Sequence, residues 1–178
     1  MTTEPTEPRD AEARAASEAV AAIYRAAVPA MRDLPVFNPA LDVAAIGFRA
    51  RQDVAFGVIV TPWFMNLVRI PLDPGAAAKQ GQGEAVTHVL PVGALEFTIG
   101  RLDGFGGIES CSLFSPMFGF ADQAAAEAAA AAALAAVLEP EQAADETPPL
   151  QAPGKMATTL DRRGLLRGAW MAVPYAHL

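Results

Sequence analysis

Between residues 43 and 113 the apolar side chains follow a period of two, which is typical of β-strands with one buried face. The clearest alternations are Val54, Phe56, Val58 and Val60 in one stretch and Leu95, Phe97 and Ile99 in another. The stretch 64–72 is apolar on both faces, as expected of a central strand. Turn signals at 73–75, 91–94 and 103–107 separate the stretches. We therefore expect five or six short strands in a mostly antiparallel sheet.

Two segments of helical character flank the predicted sheet. From Ala11 onward, apolar residues such as Val20 and Tyr24 recur at spacings of three and four, which places them on one stripe of a helix. Residues 121–138 are so rich in alanine that helix propensity alone predicts a second helix. The expected fold class is therefore α+β, a mostly antiparallel five- or six-stranded sheet with an N-terminal helix and an alanine-rich helix packed against it.

The chain has the length of one domain, with flanking segments of different composition. Residues 1–10 combine prolines and acids without apolar periodicity, so we expect them to be disordered. Residues 11–138 are predicted to form the single α+β domain. Residues 139–154, rich in proline and acids, are predicted to be a linker. Residues 155–178 become apolar again around a basic centre and are predicted to be a C-terminal docking tail.

Charge and hydropathy exclude several classes of partner. The formal net charge of −7 argues against nucleic acid, since a protein that binds phosphate backbones needs a basic face. The alanine-rich segment contains Asp122 and Glu127 and is too weakly apolar for stable membrane insertion. The first residues are acidic and lack the basic and apolar regions of an export signal. We therefore expect a cytoplasmic location, while self-association stays open.

Residues that could carry catalysis are sparse. Cys111 is the single cysteine, which excludes an intrachain disulfide, a zinc ribbon and a rubredoxin-type iron site. His88 and His177 are the two histidines, and they form no metal-ligand spacing. Nucleophile-elbow, P-loop and dinucleotide-binding motifs are also missing from the sequence. The sequence predicts neither an enzyme nor a bound metal or cofactor. Cys111 is interpreted as a buried thiol, with a thiol that contacts a partner's redox centre as the alternative.

Two groups of large apolar side chains remain as candidate binding residues. Three of them follow one another at 63–65, so at least one must point away from any single core unless the two helices cover both faces of the sheet. The second group follows the last predicted strand, where aromatic and methionine side chains suit adaptable recognition of an apolar peptide. The candidate partner-binding residues are Trp63, Phe64, Met65, Cys111, Phe114, Met117 and Phe118.

Several motifs, in the same order along the chain, closely resemble the HybE/HupJ/HoxT family of [NiFe]-hydrogenase assembly chaperones. They are Asn38-Pro-Ala-Leu41, Gly47-Phe-Arg49, Thr61-Pro-Trp-Phe-Met-Asn-Leu-Val68, Phe97-Thr-Ile-Gly100, Cys111-Ser-Leu-Phe-Ser-Pro-Met117 and Phe120-Ala-Asp122. The resemblance implies a small cytoplasmic maturation factor without catalysis that attends the precursor of the hydrogenase small subunit, which carries a twin-arginine export signal. Other maturation factors are further candidate partners. Some relatives carry a fused rubredoxin domain, which this chain lacks the cysteines to form.

A function of a different class also fits these residues. An apolar pocket near Trp63 and Cys111 would suit a carrier of a small molecule or cofactor. A bound ligand that stays with the purified chain would distinguish such a carrier from a chaperone.

The predicted tail resembles the core of a twin-arginine signal. Two arginines, a spacer and apolar residues follow one another as Arg162, Arg163, Leu165, Leu166 and Trp170. One interpretation is an amphipathic terminal helix that begins at Asp161. The other is a pseudo-signal that occupies the chaperone's own peptide-binding site.

Overall fold

A six-stranded sheet with one helix on each face makes up the part of the chain that the computed structural model describes, which is residues 6–73, 75 and 81–140. The elements in chain order are α1 (Thr6–Met31), β1 (Ala44–Arg51), β2 (Val54–Val60), β3 (Met65–Pro71), β4 (Ala85–Leu90), β5 (Gly93–Leu102), β6 (Gly106–Phe114) and α2 (Gln123–Leu138). The predicted tail and the predicted linker from residue 141 onward lie outside the described residues.

The sheet has the strand order β1-β2-β3-β6-β5-β4, and every neighbouring pair is antiparallel. The predicted α+β class is therefore confirmed. β3 and β6 form the central pair, which explains why the stretch around Leu67 and Val68 is apolar on both faces. Neither helix in the described ranges is long and apolar enough to cross a membrane.

Helix α1 covers one face of β1, β2 and β3. Its buried residues Ala13 and Val20 pack against Ile59, Val68 and Ile70 of the sheet, and their spacing gives the helix one apolar stripe. This packing accounts for the helical pattern that the sequence shows.

The N-terminal end of α1 differs from the expectation of disorder up to residue 10, because the helix already begins at Thr6. The carboxylate of Asp10 is buried and accepts a hydrogen bond of 2.8 Å from the backbone N–H of Ala50 in β1. Arg9 donates to the carbonyl of Gln52 and pairs with Asp53. Polar contacts with the sheet therefore hold the first turns of this helix. Such contacts leave no apolar periodicity in the sequence.

Helix α2 covers the opposite face through its small side chains. Ala126, Ala130, Leu134 and Val137 join a core that also contains Phe56, Val58 and Leu67. Small side chains allow a helix to lie close to a sheet, and Leu134 of α2 contacts the sheet at Gly47. A Cβ atom at Gly47 would lie 2.5 Å from Leu134 Cδ2, and the φ angle of +66° there favours glycine as well.

Both ends of α2 are fixed by hydrogen bonds. At the N-terminus the side chain of Asp122 accepts from the backbone N–H of Ala125 at 2.8 Å, which is a standard N-cap. At the C-terminus the carbonyl of Val137 accepts from the N–H of Val92, in the turn between β4 and β5, at 3.1 Å. Helix α2 therefore runs from the loop after β6 to the turn between β4 and β5.

Leu134 tests this packing, because it is the large side chain that α2 places against Gly47. We expect Leu134→Ala to lower the free energy of unfolding by about 2 to 5 kcal/mol, since a buried leucine leaves a cavity. Leu34→Ala is the matched control and should change it by less than about 0.5 kcal/mol, because Leu34 is 44% exposed. Urea denaturation measures both. Equal effects of the two substitutions would contradict the packing described for α2.

Candidate functional site

Three loops meet at one end of the sheet. They are the connection between α1 and β1 (residues 32–43), the turn between β2 and β3 (residues 61–64) and the connection between β6 and α2 (residues 115–122). Hydrogen bonds and ring contacts join each loop to the others. Four of the six motifs that resemble the chaperone family lie wholly or partly in these loops, so this end is the candidate functional site.

Asn38 connects all three loops. Its backbone N–H donates to the carbonyl of Pro62 at 2.8 Å, and its side-chain amide donates to the carbonyls of Met117 at 3.1 Å and Phe120 at 3.0 Å. The side-chain oxygen accepts from the N–H of Ala40 at 3.0 Å, within its own loop. Asn38 is 7% exposed. Its position is therefore a structural requirement, because a buried amide needs its partners.

Thr61 fixes the turn between β2 and β3. Its hydroxyl accepts from the N–H groups of Trp63 at 3.2 Å and Phe64 at 2.9 Å, and it donates to the carbonyl of Phe64 at 3.0 Å. The backbone N–H of Thr61 donates to the same carbonyl at 2.8 Å. The threonine is fully buried. The turn therefore holds the three large side chains at 63–65 in fixed directions.

These three side chains go to three different places. Met65 is fully buried in the core beneath α2. Phe64 makes an edge contact with Tyr24 of α1, with ring centres 5.2 Å apart. Trp63 is half-buried and stacks on Phe37 of the first loop at 6.2 Å. The two helices therefore cover Met65 and Phe64 from opposite faces, as the alternative interpretation of this segment expected.

The end of β6 and the loop that follows it divide their large side chains between core and surface. Met117 is fully buried, so it supports the loop from inside and cannot itself touch a partner. Phe114 is 39% exposed and Phe118 is 58% exposed. Phe120 makes an edge contact with Phe114 at 5.2 Å, which holds that ring in place. Phe114 and Phe118 are therefore the members of the predicted set that the structure presents to solvent.

The exposed large apolar side chains of these loops and of the adjoining end of β6 are Leu34, Val36, Phe114 and Phe118, and we call them the apolar rim. They are four of the five large apolar side chains that are exposed among the described residues, so exposure is concentrated at one end. The sequence interpretation missed Leu34 and Val36. Their signal was Pro35, which prevents continuation of the helix and leaves neighbouring side chains uncovered. The sequence suggests an extended passage at this point, but the chain forms turns, in which the N–H of Leu34 donates to the carbonyl of Met31 and the N–H of Phe37 to the carbonyl of Leu34, each at 3.0 Å.

Three exposed carboxylates belong to the same loops. Asp33, Asp42 and Asp122 are exposed on the first and third loops, and Arg32 is the cation that accompanies them there. The loops therefore combine apolar contact area with an excess of negative charge. Such a surface is suited to an apolar segment that carries cations.

Cys111 lies away from the rim, in the middle of β6. It is opposite Leu67 of β3 and packs against the core beneath α2. Burial raises the pKa of the Cys111 thiol, and the negative charge of Glu96 raises it further. The thiol is therefore protonated at neutral pH, which suits packing and disfavours nucleophilic attack. Trp63 belongs to the turn at the rim, so the structure does not bring the two residues of the predicted carrier pocket together.

A buried polar cluster that the sequence interpretation missed lies among β3, β4 and β6. The carboxylate of Glu109, 4% exposed, accepts from Arg69 Nε at 3.0 Å and lies 2.5 Å from His88 Nε2. The ring of His88 also contacts the edge of Phe97. In the described ranges, no group of three potential ligands is placed to hold a metal ion. This cluster explains why a histidine and an acid occur within apolar strands.

The remaining predicted residues lie outside the described part of the chain. They are the members of the twin-arginine-like tail, Arg162, Arg163, Leu165, Leu166 and Trp170.

Comparison with known proteins agrees with the motifs. The family model described as "[NiFe]-hydrogenase assembly, chaperone, HybE" matches residues 15–168. The hydrogenase expression/formation protein HupJ of Bradyrhizobium diazoefficiens is 45% identical to this chain over 160 residues, which cover 89% of this chain and 91% of HupJ. The corresponding protein HoxT of Azotobacter vinelandii is 40% identical over 153 residues, which cover 85% of this chain and 94% of HoxT.

A solved structure extends the likeness to the fold. The solution structure of HybE from Escherichia coli superimposes with a TM-score of 0.54 at 25% sequence identity, covering 83% of this chain and 90% of HybE. The resemblance found in the sequence motifs is confirmed by these matches. The chain belongs to the HybE family of [NiFe]-hydrogenase assembly chaperones.

Proposed function

We propose that this chain binds the precursor of a hydrogenase small subunit through its apolar rim, in the cytoplasm and before the precursor is exported. Membership of an assembly-chaperone family supports a hydrogenase component as the partner. The observation that carries the proposal is the concentration of exposed apolar side chains at one end of the sheet, on the connection between α1 and β1 and on the end of β6 with the loop that follows it. Apolar area that a soluble domain leaves exposed in one place is typical of a protein-binding surface.

The chemistry of the rim supports a segment that is both apolar and basic. Phe114 and Phe118 offer large contact areas, and such rings supply much of the binding energy at interfaces. The aspartates of the same loops attract cations, which speeds association and favours a basic partner. A twin-arginine signal has this combination of arginines and apolar residues. It is therefore the part of the precursor proposed to contact the rim.

The proposed activity is binding without catalysis. The thiol of Cys111 is half-buried against the core and has a raised pKa, so it is unsuited to attack on a substrate. His88 bonds to the carboxylate of Glu109 within the sheet, at a distance from the rim. Among the described residues, the thiol of Cys111 is therefore used in packing, and the imidazole of His88 is used in a hydrogen bond within the sheet.

Co-purification tests the choice of partner. A tagged chain, expressed in a cell that makes its hydrogenase, should recover the small-subunit precursor together with its uncleaved signal. A small subunit expressed without its signal is the matched control and should be recovered in lower yield. Recovery of the large subunit alone, or of equal amounts of the two small-subunit forms, would contradict the proposal.

The rim itself is tested by Phe118→Ala. Because Phe118 is 58% exposed, we expect the Kd for the precursor to rise by about 10- to 100-fold while the free energy of unfolding changes by less than about 0.5 kcal/mol. Phe105→Ala, in the turn between β5 and β6 at the other end of the sheet, is the matched control. It should lower stability and leave the Kd unchanged. Calorimetry and urea denaturation measure the two quantities, and the reverse pattern would place the interface elsewhere.

The C-terminal tail is proposed to compete with the precursor for the rim. Arg162 and Arg163 would pair with the aspartates on the loops of the rim, while Leu165, Leu166 and Trp170 would lie on its apolar side chains. A tethered ligand behind a linker of roughly fifteen residues acts at an effective concentration of about a millimolar, so even weak intrinsic affinity would mask the surface.

Removal of the competing arginines tests this proposal. Exchange of both Arg162 and Arg163 for alanine should raise the affinity for a twin-arginine signal peptide by about tenfold, and a chain that ends at Gly154 should behave similarly. Exchange of the exposed Arg49 and Arg51 of β1 for alanine is the matched control and should have no such effect. Calorimetry at fixed salt is the measurement. Unchanged or lower affinity would show that the tail does not compete.

A further inference from the structure

Two neighbouring strands of the sheet separate at the end where the apolar rim lies. The ladder between β5 and β6 starts at the turn that joins them and ends at Thr98, which lies opposite Ser110. In the part of the chain that the structure describes, β5 also covers residues 93–97 and β6 residues 111–114, and these two stretches do not pair with each other. Antiparallel neighbours at the normal spacing would continue the ladder, so the strands diverge. We call the opening between the two stretches the cleft and the stretches its walls.

Both walls of the cleft are held on their outer sides. In the β5 wall, Glu96 lies opposite Thr87 of β4, and in the β6 wall, Ser112 lies opposite Asn66 of β3. A frayed edge strand would lack such a partner, so the cleft is a fixed opening within the sheet. Strand β6 ends at Phe114, which belongs to the apolar rim. The cleft therefore opens onto the rim.

The register identifies the backbone groups that line the cleft. The N–H of Ile99 in β5 donates to the carbonyl of Glu84, on the side of β4, at 2.9 Å. Because the backbone groups of a strand point to alternate sides at successive residues, those of Glu96 point toward β6. Ser110 of β6 pairs with β5, and Ser112, two residues later, points in the same direction. Among the described strands, neither Glu96 nor Ser112 has a ladder partner on the side of the cleft.

The side chains of the walls form an apolar face and a polar face. Leu95, Cys111 and Leu113 pack against the core beneath α2, and all three are only half-buried. Glu96 and Ser112 lie on the other face, because successive side chains of a strand alternate. Glu96 is exposed and is the single charged residue of the two walls. The cleft therefore offers apolar contacts on one face and a negative charge on the other.

These features match one extended segment of polypeptide. The backbone of an inserted strand has hydrogen-bonding groups on both of its sides, so it can pair with Glu96 on one side and with Ser112 on the other. Its alternating side chains would place apolar groups on Leu95 and Leu113 and a cation beside the carboxylate of Glu96. A helix does not fit in this way, since its backbone groups are already bonded within the helix.

We propose that an extended segment of the hydrogenase precursor, with a cation among apolar residues, inserts into the cleft as a strand between β5 and β6. This inference rests on the proposed function and adds the mode of recognition, in which the rim contacts side chains and the cleft pairs with backbone. The negative charge of Glu96 favours a basic segment over an acidic one. A second copy of this chain is disfavoured, because each copy carries a net charge of −7.

Amide hydrogen exchange, measured by NMR on the full chain, tests the insertion. A saturating amount of a peptide with the twin-arginine signal sequence of the small subunit is the probe. The N–H groups of Glu96 and Ser112 should exchange at least about tenfold more slowly with the peptide than without it, since paired amides exchange only after local opening. The N–H of Thr87, which in the same register points to the outer side of β4, is the control and should keep its rate.

The charge of the cleft is tested by Glu96→Lys. Because Glu96 is exposed, we expect the variant to fold and the Kd for the same peptide to rise by about tenfold or more through repulsion of the cation. Asp103→Lys, in the turn at the other end of β5, is the matched control, since Asp103 is also exposed, and it should change the Kd much less. Calorimetry at fixed salt measures both. Equal effects of the two substitutions would overturn the role of Glu96, because they would show general attraction to an acidic protein.

The outcomes separate this inference from the proposed function. Peptide binding without protection at Glu96 and Ser112, or with protection at Thr87 instead, would overturn the insertion and leave the proposed function standing. A peptide that does not bind would also overturn the insertion. If the tagged chain then still recovers the precursor, the proposed function stands, and if it does not, both are wrong.

Discussion

The hydrogen bonds of Asn38 are the interaction on which the functional end of the molecule depends. A single buried residue ties its own loop to the turn after β2 through Pro62 and to the loop after β6 through Met117 and Phe120. None of these loops has regular secondary structure that would position it independently. Because the three loops are joined, the exposed rings of Phe114 and Phe118 lie on a rigid base. A rigid base lowers the conformational entropy that is lost when a partner binds.

The sheet supplies that base because each helix covers a different face of it. Helix α1 and helix α2 both lie over β1 and β2. Residues of β2 and of β3 enter both cores, so the strands that lead into and out of the turn at Thr61 are held between them. This arrangement explains why consecutive residues of the turn can all be large. Met65 enters one core and Phe64 meets α1 on the other face, while Trp63 stays with the loops.

Much of the fold could be predicted from the sequence, because alternation, turn residues and alanine content are local signals. The first turn of α1 was not, since it depends on contacts of Arg9 and Asp10 with distant parts of the sheet. Burial at the site was also hard to predict. Met117 and Phe118 are neighbours of similar character, yet one is fully buried and the other is 58% exposed. That difference depends on the path that the loop after β6 takes around its hydrogen bonds to Asn38. No local sequence pattern predicts this path.

The central claim is that the apolar rim is the surface that contacts the hydrogenase small-subunit precursor. The most direct measurement places a photo-crosslinking amino acid at one position at a time and identifies the adducts by mass spectrometry after the complex has formed. The account predicts adducts to the precursor from positions 34 and 118, within or next to its signal segment, and none from position 105 at the other end of the sheet. Adducts from position 105 in the absence of adducts from the rim would contradict it.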